Sequence, residues 1–139
     1  MAREVYLADT SVFSRLSKQP VAAAFAPLAA EGKVAVCAPV MFELGFAARS
    51  PRDYAALMDG LSSFATVPTS QGDRHRALDI QAALASRSQH RAISLVDALL
   101  AAIAETRGLT VLHYDADFEL IAHVTGQPHR WIVARGLAD

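Results

Sequence analysis

The sequence has one cysteine and few lysines, and it contains no long apolar run. Because Cys37 is alone, no disulfide can form within the chain, and its apolar neighbours favour a small core residue over a reactive thiol. No stretch approaches the roughly 20 apolar residues of a membrane-spanning helix. The first residues do not resemble a signal peptide, because Glu4 and Asp9 bracket a very short apolar run. These features predict a protein of the reducing cytoplasm.

A strong charge of either sign is also lacking. The formal net charge of the 139 residues is −1, which neither favours nor excludes a nucleic-acid partner. Apolar residues make up 53% of the chain and charged residues 19%, which predicts one folded domain over residues 1–139. Arginine supplies eleven of the 13 basic residues, and its planar guanidinium binds phosphate in a bidentate manner.

Strands and helices are predicted to alternate along the chain. Short apolar runs predict strands at 5–8, 33–38, 65–68, 110–114 and 129–133. Apolar periodicity and capping residues predict helices at 20–31, 39–46, 50–64, 72–88 and 94–108, with short helices after residues 10 and 117. We expect Thr10 or Ser11 to cap the first short helix, and Pro27 to kink or split the helix at 20–31. This order is typical of an α/β fold with a parallel sheet and helices on both faces.

Acidic residues follow two of these strands, at the point where each strand ends. Asp9 comes after the strand at 5–8, and Asp115 comes after the strand at 110–114. In open parallel sheets, ligands bind beyond the carboxyl ends of the strands, where the strand order reverses. The sequence therefore indicates a site at which these two acids can meet.

Each acid also has a local explanation. Asp9 can cap the helix that follows it, although Thr10 and Ser11 already offer cap oxygens. Asp97 fits a capping box with Ser94. The helix around Asp97 is apolar on nearly every side, however, and an acid in a buried first turn is costly unless something neutralises it.

The remaining acids are similarly ambiguous when each is taken alone. Asp115 and Asp117 can form a turn that caps the next helix, but two acids exceed what a cap needs. Glu43 stands alone in an apolar helix, where it faces either a thin exposed stripe or a polar site.

Taken together, the acids favour a metal site. If acids from four elements converge within ~5 Å, each pair repels by roughly 3 kcal/mol at an effective dielectric constant of ~20. A fold tolerates such repulsion by protonating some carboxylates or by binding a cation, and ligands that are all oxygen suit Mg²⁺ or Mn²⁺. The five histidines lack zinc-site spacing, so His113 and His123 are interpreted as ordinary core or surface residues.

The ordered set LADTSVF, FELGFA, SLVDALLAAIA and HYDADFELIA resembles the PIN domains, in particular the VapC-type toxins of bacterial VapBC toxin–antitoxin pairs. The resemblance covers nearly the whole chain. It implies a three-layer α/β/α fold with a central, mainly parallel sheet, and a Mg²⁺- or Mn²⁺-dependent endoribonuclease with an acidic pocket. The matching catalytic and metal-binding positions are Asp9, Glu43, Asp97, Asp115 and Asp117. Thr10 or Ser11 matches the hydroxyl beside the first acid, whereas His113, Tyr114 and Ala116 depart from the family pattern.

The resemblance also implies roles for these residues. Asp9, Asp97 and Asp115 would bind the metal directly or nearly so, while Glu43 and Asp117 would act through water or hold a second ion. Water would attack the RNA phosphodiester and leave 5′-phosphate and 3′-hydroxyl ends.

RNA must be held against an acidic pocket, and the arginines are the candidates for this. They are Arg15, Arg49, Arg52, Arg74, Arg76, Arg87 and Arg91. The stretch 72–92 is the richest in Arg and His, and a solvated helix face explains it equally well. Trp131 either stacks on a base or lies in the core or an interface.

The partners implied by the resemblance are a second copy of the chain, a small VapB-type antitoxin that covers the acidic pocket, and a transfer, ribosomal or messenger RNA. The helical stretch 54–64 can supply a dimer face, although core burial explains it equally well. Three alternatives are a PIN-fold binding module without catalysis, a DNA-directed nuclease of the same fold, and a receiver-like phosphoryl-transfer domain. The positions of Lys18 and Lys33 disfavour the last of these.

Overall fold

Five parallel strands form the central sheet of residues 4–139, the part of the chain that the computed structural model describes. Their bounds are Tyr6–Ala8 (β1), Val34–Cys37 (β2), Ala65–Val67 (β3), Thr110–His113 (β4) and His129–Trp131 (β5). The helices are Thr10–Phe13 (α1), Gln19–Ala30 (α2), Ala38–Phe46 (α3), Pro51–Leu61 (α4), Gln71–Ala85 (α5), Leu95–Arg107 (α6) and Asp117–Thr125 (α7). The predicted alternation of strands and helices is confirmed, with ends that shift by a few residues.

β1 lies at the centre of the sheet, whose strand order is β3-β2-β1-β4-β5. It pairs with β2, where Tyr6 lies opposite Val34, and with β4, where Ala8 lies opposite Leu112. The chain builds outward from β1 to β3 and then returns to add β4 on the other side. The strand order therefore reverses between β1 and β4, and the ligand-binding crevice of such a sheet lies at their carboxyl ends.

The two faces of the sheet carry separate parts of the core, because side chains alternate along each strand. Tyr6 and Ala8 pack with Phe25 of α2 on one face. Leu7 packs with Leu100 of α6 on the opposite face, which also receives apolar residues from α3, α5 and α7. Helices thus cover both faces, and the predicted α/β/α layering is confirmed.

The cap of α1 differs from the prediction. Asp9 is the N-cap residue, in place of Thr10 or Ser11, and its side chain accepts a hydrogen bond from the backbone N–H of Ser11. Asp9 adopts an extended conformation (φ −81°, ψ 159°), which is the usual geometry of an N-cap. The carboxylate that seemed redundant for capping is therefore the group that starts the helix.

Helix α2 is not split at Pro27, contrary to the prediction. Pro27 lies on the exposed side of the helix, so the carbonyl that loses its helical donor can reach water. Phe25 and Leu28, which lie on either side of Pro27 in the sequence, are both buried against the sheet. This burial holds the turns before and after the proline in one helix.

Cys37 is buried at the end of β2, and burial raises the pKa of its thiol to about 11. Its predicted place in the core is therefore confirmed. Over residues 4–139, no helix combines the length and the apolar character that crossing a membrane requires.

Candidate active site

Three carboxylates meet where the strand order reverses. Asp9 follows β1, Asp115 follows β4, and Asp97 lies in the first turn of α6. Each offers one carboxylate oxygen, and these three oxygens all lie within 4.8 Å of one another. The predicted convergence of acids from separate elements is thus present in the fold.

Asp9 is fixed through only one of its two oxygens. Its Oδ2 accepts hydrogen bonds from the backbone N–H of Ser11 (3.1 Å) and from the Ser11 hydroxyl (2.6 Å). Over residues 4–139, its Oδ1 accepts no hydrogen bond. The cap thus orients the carboxylate and leaves one oxygen for a ligand.

Asp97 and Asp115 are likewise each held through only one carboxylate oxygen. Oδ2 of Asp97 accepts the backbone N–H of Ser94 (3.1 Å) in a capping box, and Oδ1 of Asp115 accepts the backbone N–H of Asp117 (2.9 Å) in a turn. The second oxygen of each accepts no hydrogen bond within the described part of the chain. The local explanations that the sequence offered are therefore correct, and they coexist with a shared site.

The Ser11 hydroxyl joins the ends of the two central strands. It donates to Asp9 and accepts the backbone N–H of Tyr114 (2.8 Å), the residue after β4. The neighbouring Thr10 hydroxyl is buried and has no hydrogen-bond partner within the described residues, although Thr10 lines the same cavity as the acids. Of the two predicted hydroxyl candidates, Ser11 is the one that positions an acid.

Two histidines, His113 and His129, support the turn that carries Asp115. Nδ1 of His113 accepts the backbone N–H of Asp115 (3.1 Å), so the ring proton lies on Nε2, which faces Nδ1 of His129 at 2.8 Å. Burial, together with the nearby His129, lowers the pKa of His113 to about 3, and the ring stays neutral. His113 is a core residue, as interpreted, but it also holds the turn that carries Asp115. His123 is exposed.

Burial and mutual repulsion raise the pKa values of several acids. Burial raises the pKa of Asp9 to about 6, and the charges of Asp97 and Asp115 contribute in the same direction. Burial also raises the pKa of Asp97, with contributions from Asp115 and Glu43. The pKa of Asp117 is raised to about 6 by burial and by the charges of Asp115 and Asp97. The cluster therefore holds its protons to a higher pH than isolated carboxylates do, unless positive charge replaces them.

All five acids predicted from the sequence line one open cavity of about 500 Å³. Glu43 reaches the cavity from α3, so its side chain lies at the polar site and not on a thin exposed stripe. Asp117 reaches the cavity from the start of α7. Arg91 also lines the cavity, and it is the only one of the predicted RNA-binding arginines to do so in the described chain.

The residues present fit a divalent cation. One carboxylate oxygen from each of the three central acids lies within 4.8 Å of the others, and the pKa values of Asp9 and Asp97 are raised. Within residues 4–139, the Thr10 hydroxyl beside them has no hydrogen-bond partner. A donor set made only of oxygen suits a hard cation such as Mg²⁺ or Mn²⁺.

The span that builds this site matches a known family. A sequence profile described as "PIN domain" matches residues 6–124. The chain belongs to the PIN domain family. Every acid that lines the cavity lies within the matched span of this PIN domain.

Relatives of this PIN domain match it over nearly its whole length. Ribonuclease VapC51 of Mycobacterium tuberculosis is 48% identical over 134 residues, which are 96% of this chain and 97% of the relative. Ribonuclease VapC21 of the same species is 39% identical over 137 residues, which are 96% and 97% of the two chains. The predicted resemblance to VapC-type ribonucleases is confirmed.

A solved structure shares the fold of this PIN domain. The crystal structure of DNA-bound VapBC from Salmonella typhimurium contains a chain that superposes with a TM-score of 0.76, covering 94% of this chain and 100% of that one. The two are 18% identical, so this likeness shows the fold alone.

Sequence reasoning missed a buried acid on the arginine-rich helix α5 of this PIN domain. Asp73 is fully buried and accepts hydrogen bonds from Thr106 (2.7 Å) and Arg107 (3.0 Å) of α6. On the same helix, Arg76 pairs with Glu105 at 2.7 Å. Part of the stretch 72–92 therefore anchors α5 to α6, and the pattern Ser70-x-x-Asp73, a capping box, was its only sequence signal.

Proposed function

We propose that the protein is the toxin component of a type II toxin–antitoxin system and a Mg²⁺- or Mn²⁺-dependent endoribonuclease of the cytoplasm. One observation carries this proposal: three buried or half-buried carboxylates, each held by hydrogen bonds to one oxygen, bring one oxygen apiece within 4.8 Å of one another at the switch point of a PIN fold. The 48% identity to a protein named a ribonuclease supports it.

In the proposed reaction, water hydrolyses an RNA phosphodiester bond. Asp9, Asp97 and Asp115 would hold the cation, which would supply positive charge against the scissile phosphate and make water more acidic. Glu43 and Asp117 orient the attacking water from the cavity wall. Water adds to phosphorus, the bond to the 3′-oxygen breaks, and that oxygen takes up a proton, which leaves 5′-phosphate and 3′-hydroxyl ends.

Two side chains on the cavity wall suit further steps of this reaction. Asp117, with a pKa raised to about 6, can accept the proton of the attacking water near neutral pH. Arg91 is exposed at the same wall and can bind a phosphate that flanks the cleaved bond.

The proposed inhibitor is a VapB-type antitoxin that covers the face of α3 and α4. Phe42 and Phe46 of α3 are 80% and 88% exposed, and Tyr54 of α4 lies beside them across Gly45. Glu43 of the same helix lines the acidic cavity. An apolar segment that packs on this face therefore lies next to the cavity and can block it. The structural likeness to a VapBC complex supports such a partner.

The proposed homodimer uses a different apolar surface, between α5 and α6. A groove of about 380 Å³ there is flanked by Leu78 and Leu95, which are 62% and 73% exposed. Protruding leucines beside an apolar groove that includes Ala77 and Ala98 can insert into the same groove of a second copy, as a two-fold interface requires. Ile93 and Ser94 line both this groove and the acidic cavity, so pairing here brings two cavities close together.

The deciding experiment is cleavage of total RNA and of a transfer RNA pool by the purified protein, with Mg²⁺ or Mn²⁺ and with EDTA. Asp97→Asn is the test variant, since asparagine keeps an acceptor for the Ser94 N–H and removes the charge. Asp53→Asn is the matched control, because Asp53 follows Ser50 in the same pattern at the start of α4 but is exposed.

We expect discrete cuts that need the metal, persist in Asp53→Asn and fall by about 10²-fold or more in Asp97→Asn. Uncut RNA with folded wild-type protein, together with no metal binding by calorimetry, would leave a binding module whose acids serve the fold.

A further inference from the structure

A second pocket, of about 390 Å³, opens beside the acidic cavity and shares Ser11 and Asp115 with it. Its other walls come from β5 and the segment after it, including Trp131 and Arg135. The two pockets are therefore continuous at the strand ends. A polymer with its scissile phosphate at the acids would place a neighbouring nucleotide in or near this second pocket.

Trp131 is held rigidly in the wall of this pocket. Its Nε1 donates to Glu119 (3.0 Å), and its ring packs edge-on against Tyr114 with centroids 5.2 Å apart. His113 lies behind it at 5.0 Å. The indole N–H is thus already used and the ring is only half-buried, so what Trp131 can offer a ligand is ring surface.

The opposite wall is closed by the last residues of the chain. The Tyr114 hydroxyl accepts the backbone N–H groups of Gly136 (2.7 Å) and Ala138 (3.0 Å) and donates to Asp139 (2.7 Å). Arg15 stacks on the Tyr114 ring at 4.8 Å and donates to the carbonyl oxygen of Ala138 (3.1 Å). These contacts fix the shape of the pocket before any ligand enters.

Arg135 is the adaptable group of the pocket. Its guanidinium carbon lies 5.8 Å from the centre of the Trp131 ring, near the ~6 Å limit of a cation–π contact. Within residues 4–139 it makes no hydrogen bond or ion pair. It can therefore move off the indole face and cover a flat ligand that takes its place.

We infer that this pocket binds the base of a nucleotide adjacent to the cleaved phosphodiester, stacked on Trp131 and covered by Arg135. The inference rests on the proposed RNA cleavage. A neutral, flat base suits the pocket, because Trp131 and Tyr114 offer ring surface there, and Asp115 and Asp139 offset the charges of Arg15 and Arg135 that would otherwise favour a phosphate. Stacking on an aromatic ring is a general mode of binding single-stranded nucleic acid.

The binding test uses the intrinsic fluorescence of Trp131, which is the only tryptophan of the chain. The Asp97→Asn protein is titrated with a short oligoadenylate and with an abasic oligonucleotide of equal length, in Mg²⁺ at low ionic strength. We expect saturable quenching by the oligoadenylate and little by the abasic chain. Arg135→Ala should weaken binding about 10-fold. Arg130→Ala, which removes the same charge and a hydrogen bond to Tyr6 but lies outside the pocket lining, should not.

Cleavage by active protein gives an independent readout. Trp131→Leu is expected to raise KM about 10-fold and to relax the choice of cut site, with a much smaller change in kcat. Trp131→Phe, which keeps a stacking ring, should restore KM. A thermal melt of each variant confirms that it is folded.

The outcomes separate this inference from the nuclease proposal. Normal cutting with equal binding of the abasic chain, or with an unchanged KM in Trp131→Leu, would overturn the base pocket and leave the nuclease proposal standing. Base-dependent quenching without any cutting would support the pocket and overturn the nuclease proposal. Quenching by an antitoxin peptide but by no oligonucleotide would overturn the base pocket.

Discussion

At the scale of the residue, each central acid uses one carboxylate oxygen for the fold, and over residues 4–139 its other oxygen accepts no hydrogen bond. Backbone N–H groups hold the first oxygen of Asp9, Asp97 and Asp115, and the Ser11 hydroxyl adds a further bond to Asp9. A ligand that is already oriented loses little side-chain freedom when it binds an ion. The hydroxyl of Ser11 is therefore as much a part of the site as the acid it contacts.

Substitution of Ser11 by alanine should weaken metal binding and RNA cleavage together. The change removes the 2.6 Å hydrogen bond to Asp9 and the acceptor for the backbone N–H of Tyr114, so the Asp9 side chain loses its link to the end of β4. We expect a loss of about 10- to 100-fold in Mn²⁺ affinity, measured by calorimetry, with a similar loss in cleavage rate. Ser17→Ala, at an exposed position nearby, is the control and should change neither. Unaltered Mn²⁺ affinity in Ser11→Ala would show that Asp9 needs no such support.

At the scale of the element, the site depends on the placement of α6, and α5 holds that helix through Asp73. This fully buried carboxylate accepts hydrogen bonds from Thr106 and Arg107 of α6 and completes the capping box of α5 with Ser70. Burial raises its pKa, but the hydrogen bonds from Ser70, Thr106 and Arg107 outweigh that effect and lower it to about 2.

Asp73→Ala should destabilise the protein by about 3 kcal/mol, because it leaves Arg107 without its partner and removes a helix cap. Urea unfolding followed by circular dichroism measures this change in the free energy of unfolding. The control is Asp79→Ala on the exposed side of the same helix, for which we expect a change within about 0.5 kcal/mol. Equal stability of the two variants would mean that the buried ion pair contributes nothing to the contact between α5 and α6.

The pattern Ser-x-x-Asp shows what sequence alone can and cannot reveal. It occurs at Asp53, Asp73 and Asp97, and in each case it correctly marks the start of a helix. The first acid is exposed, the second is buried against α6, and the third lies in the acidic cavity. Capping is a local property and can be predicted, whereas these three environments depend on which elements pack against each helix.

The meeting of two acids at the strand ends could also be predicted from the sequence. Parallel strands bring their carboxyl ends to one edge, so the apolar runs before Asp9 and Asp115 already implied that the two acids meet there. No sequence pattern predicted the contacts between residues that lie far apart in the chain. His113 pairs with His129, and Trp131 packs on Tyr114, because β4 and β5 align in one particular register. Neither the capping pattern nor the acids at the strand ends encode that register.

At the scale of the whole molecule, the acidic cluster should make stability depend on pH and on metal. Asp9 has a pKa of about 6 in the folded protein, against an ordinary value of 3.8. The folded state therefore binds more protons between these values, and without metal its stability should fall by roughly 2–3 kcal/mol as the pH rises through this window. Asp117, whose pKa is also raised, should likewise lower the stability as the pH rises. Asp73, whose pKa is lowered, should instead raise the stability as the pH rises towards about 4.

Thermal melts in EDTA should thus give a higher Tm near pH 5 than near pH 7.5, and Mg²⁺ or Mn²⁺ should reverse this order by stabilising the ionised cluster. Asp9→Asn is the informative variant, because asparagine still accepts from Ser11 but does not titrate. It should flatten the dependence on pH and abolish most of the stabilisation by metal. A Tm in EDTA that rises steadily from pH 5 to pH 7.5 would contradict the proposed repulsion.

Two apolar faces on one molecule predict two separable associations. Phe46→Glu on α3 should prevent binding of the proposed antitoxin and leave the proposed dimer intact, since a charge cannot be buried against an apolar segment. Leu78→Glu on α5 should yield a monomer that still binds the antitoxin. Light scattering coupled to size exclusion measures both. If either variant lost both associations, the two partners would share a surface.

The central position of β1 also affects when a newly made chain can cut RNA. Asp9 leaves the ribosome early, but its companions Asp97 and Asp115 are synthesised only after most of the sheet. The strand that places Asp115 beside Asp9 is the fourth of five to be translated. A nascent toxin is therefore harmless to the message and to the ribosome that make it for most of its synthesis.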